Sequence, residues 1–74
     1  MIYTRDTFTI DREGKPTFLF TLDYEDGTPL AEVIRHSSYI LNHVYGKSHS
    51  MSIQNEAGSV VAVLKSHSTR EEVL

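Results

Sequence analysis

Between Leu30 and Tyr45 the apolar residues recur at helical spacing. At 100° per residue, Leu30, Val33, Ile34, Ser37, Ile40, Leu41, Val44 and Tyr45 fall within one arc of roughly 140°. Glu32, Arg35, His36, Tyr39, Asn42 and His43 gather on the opposite arc. Thr28 stands where an N-cap belongs, Pro29 takes the first helical position and Gly46 follows the last periodic residue. The pattern predicts one amphipathic helix over 29–45.

On either side of this segment the period shortens to two, the mark of half-buried strands. Ile2 to Ile10 reads as a strand of threonines and aromatics, and 11–16 (DREGKP) as a turn. Thr17 to Tyr24 alternates, with Phe18, Phe20, Leu22 and Tyr24 expected on one face. Glu25-Asp26-Gly27 then leads into the helix. Beyond Gly46, Met51 and Ile53 mark a third strand, Asn55 to Gly58 a hairpin loop, and Val60 to Leu64 a fourth strand. Ser68 and Glu71 have the spacing of a capping box, able to start a short terminal helix. The order is ββαββ, an α+β fold in which a four-stranded antiparallel sheet carries the helix on one face. Phe8, Ile10, Phe18, Phe20, Leu22, Met51 and Ile53 are expected to meet the helical apolar arc.

The fourth strand departs from that scheme. Its five consecutive apolar residues leave no polar side, although a sheet covered by a single helix should turn one face to water. Contact with a second copy through Val60, Ala62, Leu64 and the outward Leu19, with Tyr3 extending the patch, resolves the conflict and predicts a homodimer.

A chain of 74 residues makes one domain, 1–74, near the lower limit at which a core holds without staples. It has no cysteine, hence neither disulfide nor thiolate chemistry, and no apolar run reaches the ~20 residues that cross a bilayer. With no signal-peptide pattern at residues 1–6, the expected compartment is the cytoplasm. The formal net charge is −3. Residues 1–32 hold seven acids against three bases and residues 33–74 four bases against three acids, with all four histidines in the second part. No basic stripe suits duplex nucleic acid.

Candidate chemistry is sparse. His36 and His43 are seven residues apart, about 10.5 Å along a helix, too far for one tetrahedral ion. No serine sits in a nucleophile elbow, and an acidic turn before a helix follows from the macrodipole alone. No catalytic residue, cofactor or metal is therefore expected. Tyrosine and arginine are the residues enriched at binding hot spots, which singles out Arg35, His36, Tyr39 and His43 on the outward arc. The acidic turn of Glu25 and Asp26, with the loop from Asp11 to Glu13, offers a second surface able to steer a basic partner. The expectation is a small non-catalytic regulator or inhibitor that binds another protein. A nucleic-acid-binding regulatory module and a histidine-linked metal-binding protein are the alternatives.

The stretch from the helix through Met51 to Leu64 resembles the helix–hairpin segment of Phd/YefM-type antitoxins, a helix followed by two strands around a polar glycine turn. The resemblance covers about half the chain and implies an antitoxin-like regulator. Several small phage inhibitors, anti-CRISPR proteins among them, share the size and the ββαββ order, an analogy of fold alone.

Overall fold

In the computed structural model, residues 1–46, 48–66 and 72–73 are described. Strands β1 (Thr4–Ile10) and β2 (Pro16–Asp23) form an antiparallel hairpin. Helix α1 (Leu30–Ile40) follows, extended by a single π-helical turn over Leu41–Tyr45. Strands β3 (His49–Gln54) and β4 (Val60–Lys65) make a second hairpin, and a two-residue strand β5 (Glu72–Val73) pairs with β4 at Ala62 and Val63. The sheet is antiparallel throughout, in the order β2-β1-β3-β4-β5, with the helix on one face. The expected α+β architecture and ββαββ order are present. The capping box at Ser68 to Glu71 lies outside the described residues.

The core is small. Val33, Ile34 and Leu41 of the helical segment pack on Met51, Ile53, Ala62 and Leu64, with Tyr3, Tyr24, Leu30, Ile40, Tyr45 and Val61 around the margin. The alternation of β3 sets its register, because Met51 pairs with Leu64 and Ile53 with Ala62 on the helix side. Those same two residues pair with Thr7 and Arg5 of β1. Parity is absolute in a strand, so Arg5, Thr7 and Thr9 of β1 face the helix, and Phe8 and Ile10 face away. Phe8 and Ile10 were expected inside; the cross-strand partners decide otherwise.

Three further corrections follow from local geometry. The helix starts one residue later than expected, at Leu30. Pro29 is the N-cap in an extended conformation (φ −70°, ψ 151°), and no side chain caps the helix. At the other end the π-helical turn closes through Gly46 N donating to Leu41 O at 3.0 Å. A wider turn advances each residue by less than 100°, so Val44 leaves the buried arc and is 63% exposed. Gly46 takes φ 71°, the positive value its position requires.

The third correction concerns β2. Its register with β1 slips between Thr7 and Phe8, which pair with Phe20 and Phe18. Leu19 is therefore the extra residue of a β-bulge, and the bulge reverses the alternation. Phe18 joins Phe8 on the outer face, their rings 5.9 Å apart and edge to face. Phe20 and Leu22, paired with Thr7 and Arg5, point to the helix side as expected. They are not buried there. α1 packs over β4 and its final turn over β3, so every residue of β2 stays exposed. None of the described helices is long and apolar enough to cross a membrane.

Candidate functional site

The uncovered part of the helix-side face is the most unusual surface of the molecule. Leu19, Phe20 and Leu22 are 42%, 39% and 37% exposed. They lie in sequence on an edge strand, with no charged residue between Pro16 and Asp23. Edge strands are normally blunted by lysine, proline or inward-pointing charge. Here proline stands only at the first position, and the apolar centre of the strand is bare.

Beside this strip lies Arg5, 3% exposed. Its guanidinium carbon is 6.0 Å from the centre of the Phe20 ring and 5.8 Å from that of Tyr24. Nη1 donates to the Tyr24 hydroxyl at 2.9 Å, while Nε is buried without a partner. The neighbouring Thr7, on the same face, also buries its hydroxyl without a partner. None of the ion pairs among the described residues includes Arg5. The buried cation thus rests on one neutral oxygen and two aromatic rings, where a carboxylate is the usual companion.

Tyr24 connects this cation to the helix. Its hydroxyl lies 3.0 Å from His36 Nδ1 and 2.9 Å from Ser37 Oγ. The set closes when Ser37 and Arg5 donate to the tyrosine oxygen and tyrosine gives its single hydrogen to His36. The two rings also meet edge to face at 5.7 Å. Ser37 is fully buried, its small side chain leaving room for the tyrosine.

The outward arc of the helix holds the expected residues, each with a neighbour. Tyr39 is 58% exposed and meets His43 edge to face at 4.5 Å. Arg35 lies 3.6 Å from Glu32, both well exposed. His36 turns from this arc toward Tyr24. Of the acidic turn, Glu25 is exposed, whereas Asp26 accepts a 2.7 Å hydrogen bond from the Met1 ammonium group. That pairing holds the Asp26 carboxyl below its ordinary value and raises the ammonium group above its own, with Glu56 adding to the latter. Glu56 also accepts from the Ile2 backbone N–H. Asp26 and Glu56 thereby fasten the first two residues between the turn before the helix and the β3–β4 hairpin.

The four residues expected to join two copies do not form one surface. Ala62 and Leu64 belong to the core, fully covered by the helix, because the pairing with Ile53 and Met51 fixes their side. Val60 is exposed on the opposite face, paired with Gln54 after a register shift in β4, and Leu19 lies three strands away. Tyr3 packs against the core. A recess on the outer face, walled by Ile10, Pro16, Ser50, Val63 and Lys65, adjoins the Phe8–Phe18 pair. Next to it the polar half of that face is satisfied internally. Asp6 accepts from Thr21 at 2.6 Å and Gln54 at 2.9 Å, and Asp23 accepts from Thr4 at 2.8 Å. Among the described residues no three His, Asp or Glu side chains gather as metal ligands do.

Sequence reasoning missed Arg5, Thr7 and Tyr24 as a group. The available signal was the polar run Thr4 to Thr7 set against the strict alternation of Met51 and Ile53. A strand pairing with an apolar–polar neighbour has to place one of its own parities inside, and in β1 that parity carries arginine and threonine. The site defines a class: a small α+β domain with a half-covered sheet and an apolar edge strand beside a buried cation. Compared with known proteins, the chain matches no family model, no curated protein and no solved structure.

Proposed function

We propose that this protein is a small non-catalytic regulator that works by docking onto another protein, and that its contact surface is the bare helix-side face of β2. One observation carries the reading: Phe20 and Leu22 stand exposed on the helix-side face of an unprotected edge strand, with the bulged Leu19 exposed between Phe18 and Phe20. Isolated surface apolars are ordinary, but a contiguous apolar group at a sheet edge is the kind of surface that interfaces cover. The helix flank beside it adds His36 and, further round, Tyr39 and His43, so the sequence-derived arc becomes the rim of the contact. Glu25 and the Asp11–Glu13 loop supply negative charge for steering a partner's approach.

Site-specific photo-crosslinking in cells tests this. A photoreactive phenylalanine analogue at position 20 should yield discrete heavier adducts, and one at Ala57 in the exposed β3–β4 loop should not. Adducts from position 39 with none from position 20 would return the site to the outward arc. Absence of adducts at both positions would sink the docking reading.

A further inference from the structure

From the uncovered strip and the buried cation together, we infer that the docked segment is an amphipathic helix carrying a carboxylate in its apolar stripe, lying beside α1 over β2 with that carboxylate paired to Arg5. The inference rests on the protein-docking reading above and specifies its partner. Width argues for a helix. Strands lie ~4.8 Å apart and a helix with its side chains is ~10 Å across, so one helix covers about two strands. α1 and its final turn occupy β4 and β3. The bare strip that remains is β2, every residue of which is exposed; β1 between it and α1 has Arg5 and Thr7 buried, and a helix laid on β2 against the α1 flank sits about one helix width from α1. Its floor is Phe20 and Leu22, and its inner wall is the α1 flank at His36.

Charge argues for the carboxylate. A buried guanidinium with five donors holds one hydrogen bond among the described residues, to Tyr24. Its Nε is unpartnered, and so is the adjacent Thr7 hydroxyl. Burying a cation without a counter-charge is costly, and pairing it with a hydrogen-bonded carboxylate is the arrangement that offsets the cost. The Phe20 ring, which flanks the guanidinium and is partly exposed, is the side chain that must shift to admit the carboxylate. A second copy is a poorer occupant. In an antiparallel β2–β2 pairing centred on Phe20, the copy's Asp23 falls opposite Thr17, at the far end from Leu22, the residue that pairs with Arg5.

The test uses a designed 20-residue amphipathic helical peptide with one glutamate in the centre of its apolar stripe, and a twin with glutamine there. Affinity is read by fluorescence anisotropy, and the site by amide shifts of the isotope-labelled protein. The glutamate peptide should bind about tenfold tighter than its twin, with shifts confined to β1, β2 and the α1 flank. Arg5→Gln should abolish the tenfold difference while both peptides still bind. Leu22→Asp, on the exposed strip, should weaken both peptides while leaving the circular dichroism spectrum of the protein unchanged. Equal affinity of the two peptides for the wild-type protein overturns the carboxylate and leaves protein docking standing. No saturable binding of either peptide, or shifts elsewhere, overturns the helical occupant. A concentration-dependent dimer in light scattering that Leu22→Asp dissolves assigns the strip to a second copy and also overturns it.

Discussion

Replacing Arg5 by methionine should make the free protein more stable. The substitution keeps an unbranched side chain of similar reach and removes a buried cation that has no counter-charge among the described residues. The effective penalty for such an ion is several kcal/mol, here about 4–5 kcal/mol. Against it stand the bond from Nη1 to Tyr24, about 1.5–3 kcal/mol for a charged donor, and two ring contacts at 5.8 and 6.0 Å. Those distances are at the outer limit of cation–π attraction, so the two together add about 1 kcal/mol. Methionine recovers about 0.5–1 kcal/mol through sulfur–aromatic contact with Phe20 and Tyr24. Nothing is orphaned, because the Tyr24 hydroxyl keeps His36 and Ser37. The net gain is about 0.5–3.5 kcal/mol with a centre near 2, which corresponds to roughly 8–16 °C in melting temperature for a domain of this size. Urea unfolding followed by circular dichroism measures it, with an unchanged m-value showing that compactness is the same. A loss of more than about 1 kcal/mol would refute the reasoning, since it would mean that the guanidinium is well compensated where it lies.

Three other outcomes test separate parts of the fold. Leu41→Ala, at a fully buried core position, should cost about 2–5 kcal/mol in urea unfolding, a large fraction of what a domain this small possesses. Gly46→Ala should cost about 1–3 kcal/mol by the same measurement. An added Cβ there meets nothing within 4 Å, so the penalty is purely that of a side chain at φ 71° and ψ −119°. Asp26→Asn should remove a pH-dependent contribution bounded on both sides. The lowered Asp26 carboxyl stabilises the fold above its unfolded value of 3.8, and that help is lost as pH falls through its folded value. The raised Met1 ammonium stabilises below its unfolded value of 8.0, and that help is lost as pH rises through its folded value. Melting curves of wild type and variant should therefore differ at neutral pH and converge at both extremes; a constant offset across the range counts against the pair.

The helix and the four main strands were legible because each has a period that tertiary contacts do not override. Val33, Ile34 and Leu41 repeat at helical spacing, and Met51 and Ile53 at strand spacing, and all five are in the core. Gly46 marked its own boundary. What escaped was every feature that depends on one residue of phase. The extra residue at Leu19 put Phe18 and Phe20 on opposite faces, and the π-helical turn carried Val44 out to solvent. The parity of β1 was set by β3 rather than by its own apolar residues, so Phe8 and Ile10 lost the core to Arg5 and Thr7. The Val60–Leu64 run had no alternation to read. Its inward set, Ala62 and Leu64, became definite only through Ile53 and Met51, the partners nine and thirteen residues earlier in the chain. The candidate surface shifted for the same reason: the hot-spot residues of the helix were visible in the sequence, whereas the offset of the helix from β2 was not.

The bulge at Leu19 gives β2 two independent sides. Phe18 closes an aromatic pair with Phe8 on one face of the sheet, and Phe20 lies against Arg5 on the other, with a single residue between them. A ligand or partner gripping one side therefore pulls on a strand whose opposite side is engaged elsewhere. The Arg5–Phe20 contact and the Phe8–Phe18 contact are joined along β2 by Leu19 alone. Were Leu19 paired in a regular register instead of bulged, the period of two would place both phenylalanines on the same face and merge the two sides into one. Leu19 is then less a contact residue than a spacer that keeps two surfaces of a very small protein mechanically joined and chemically distinct.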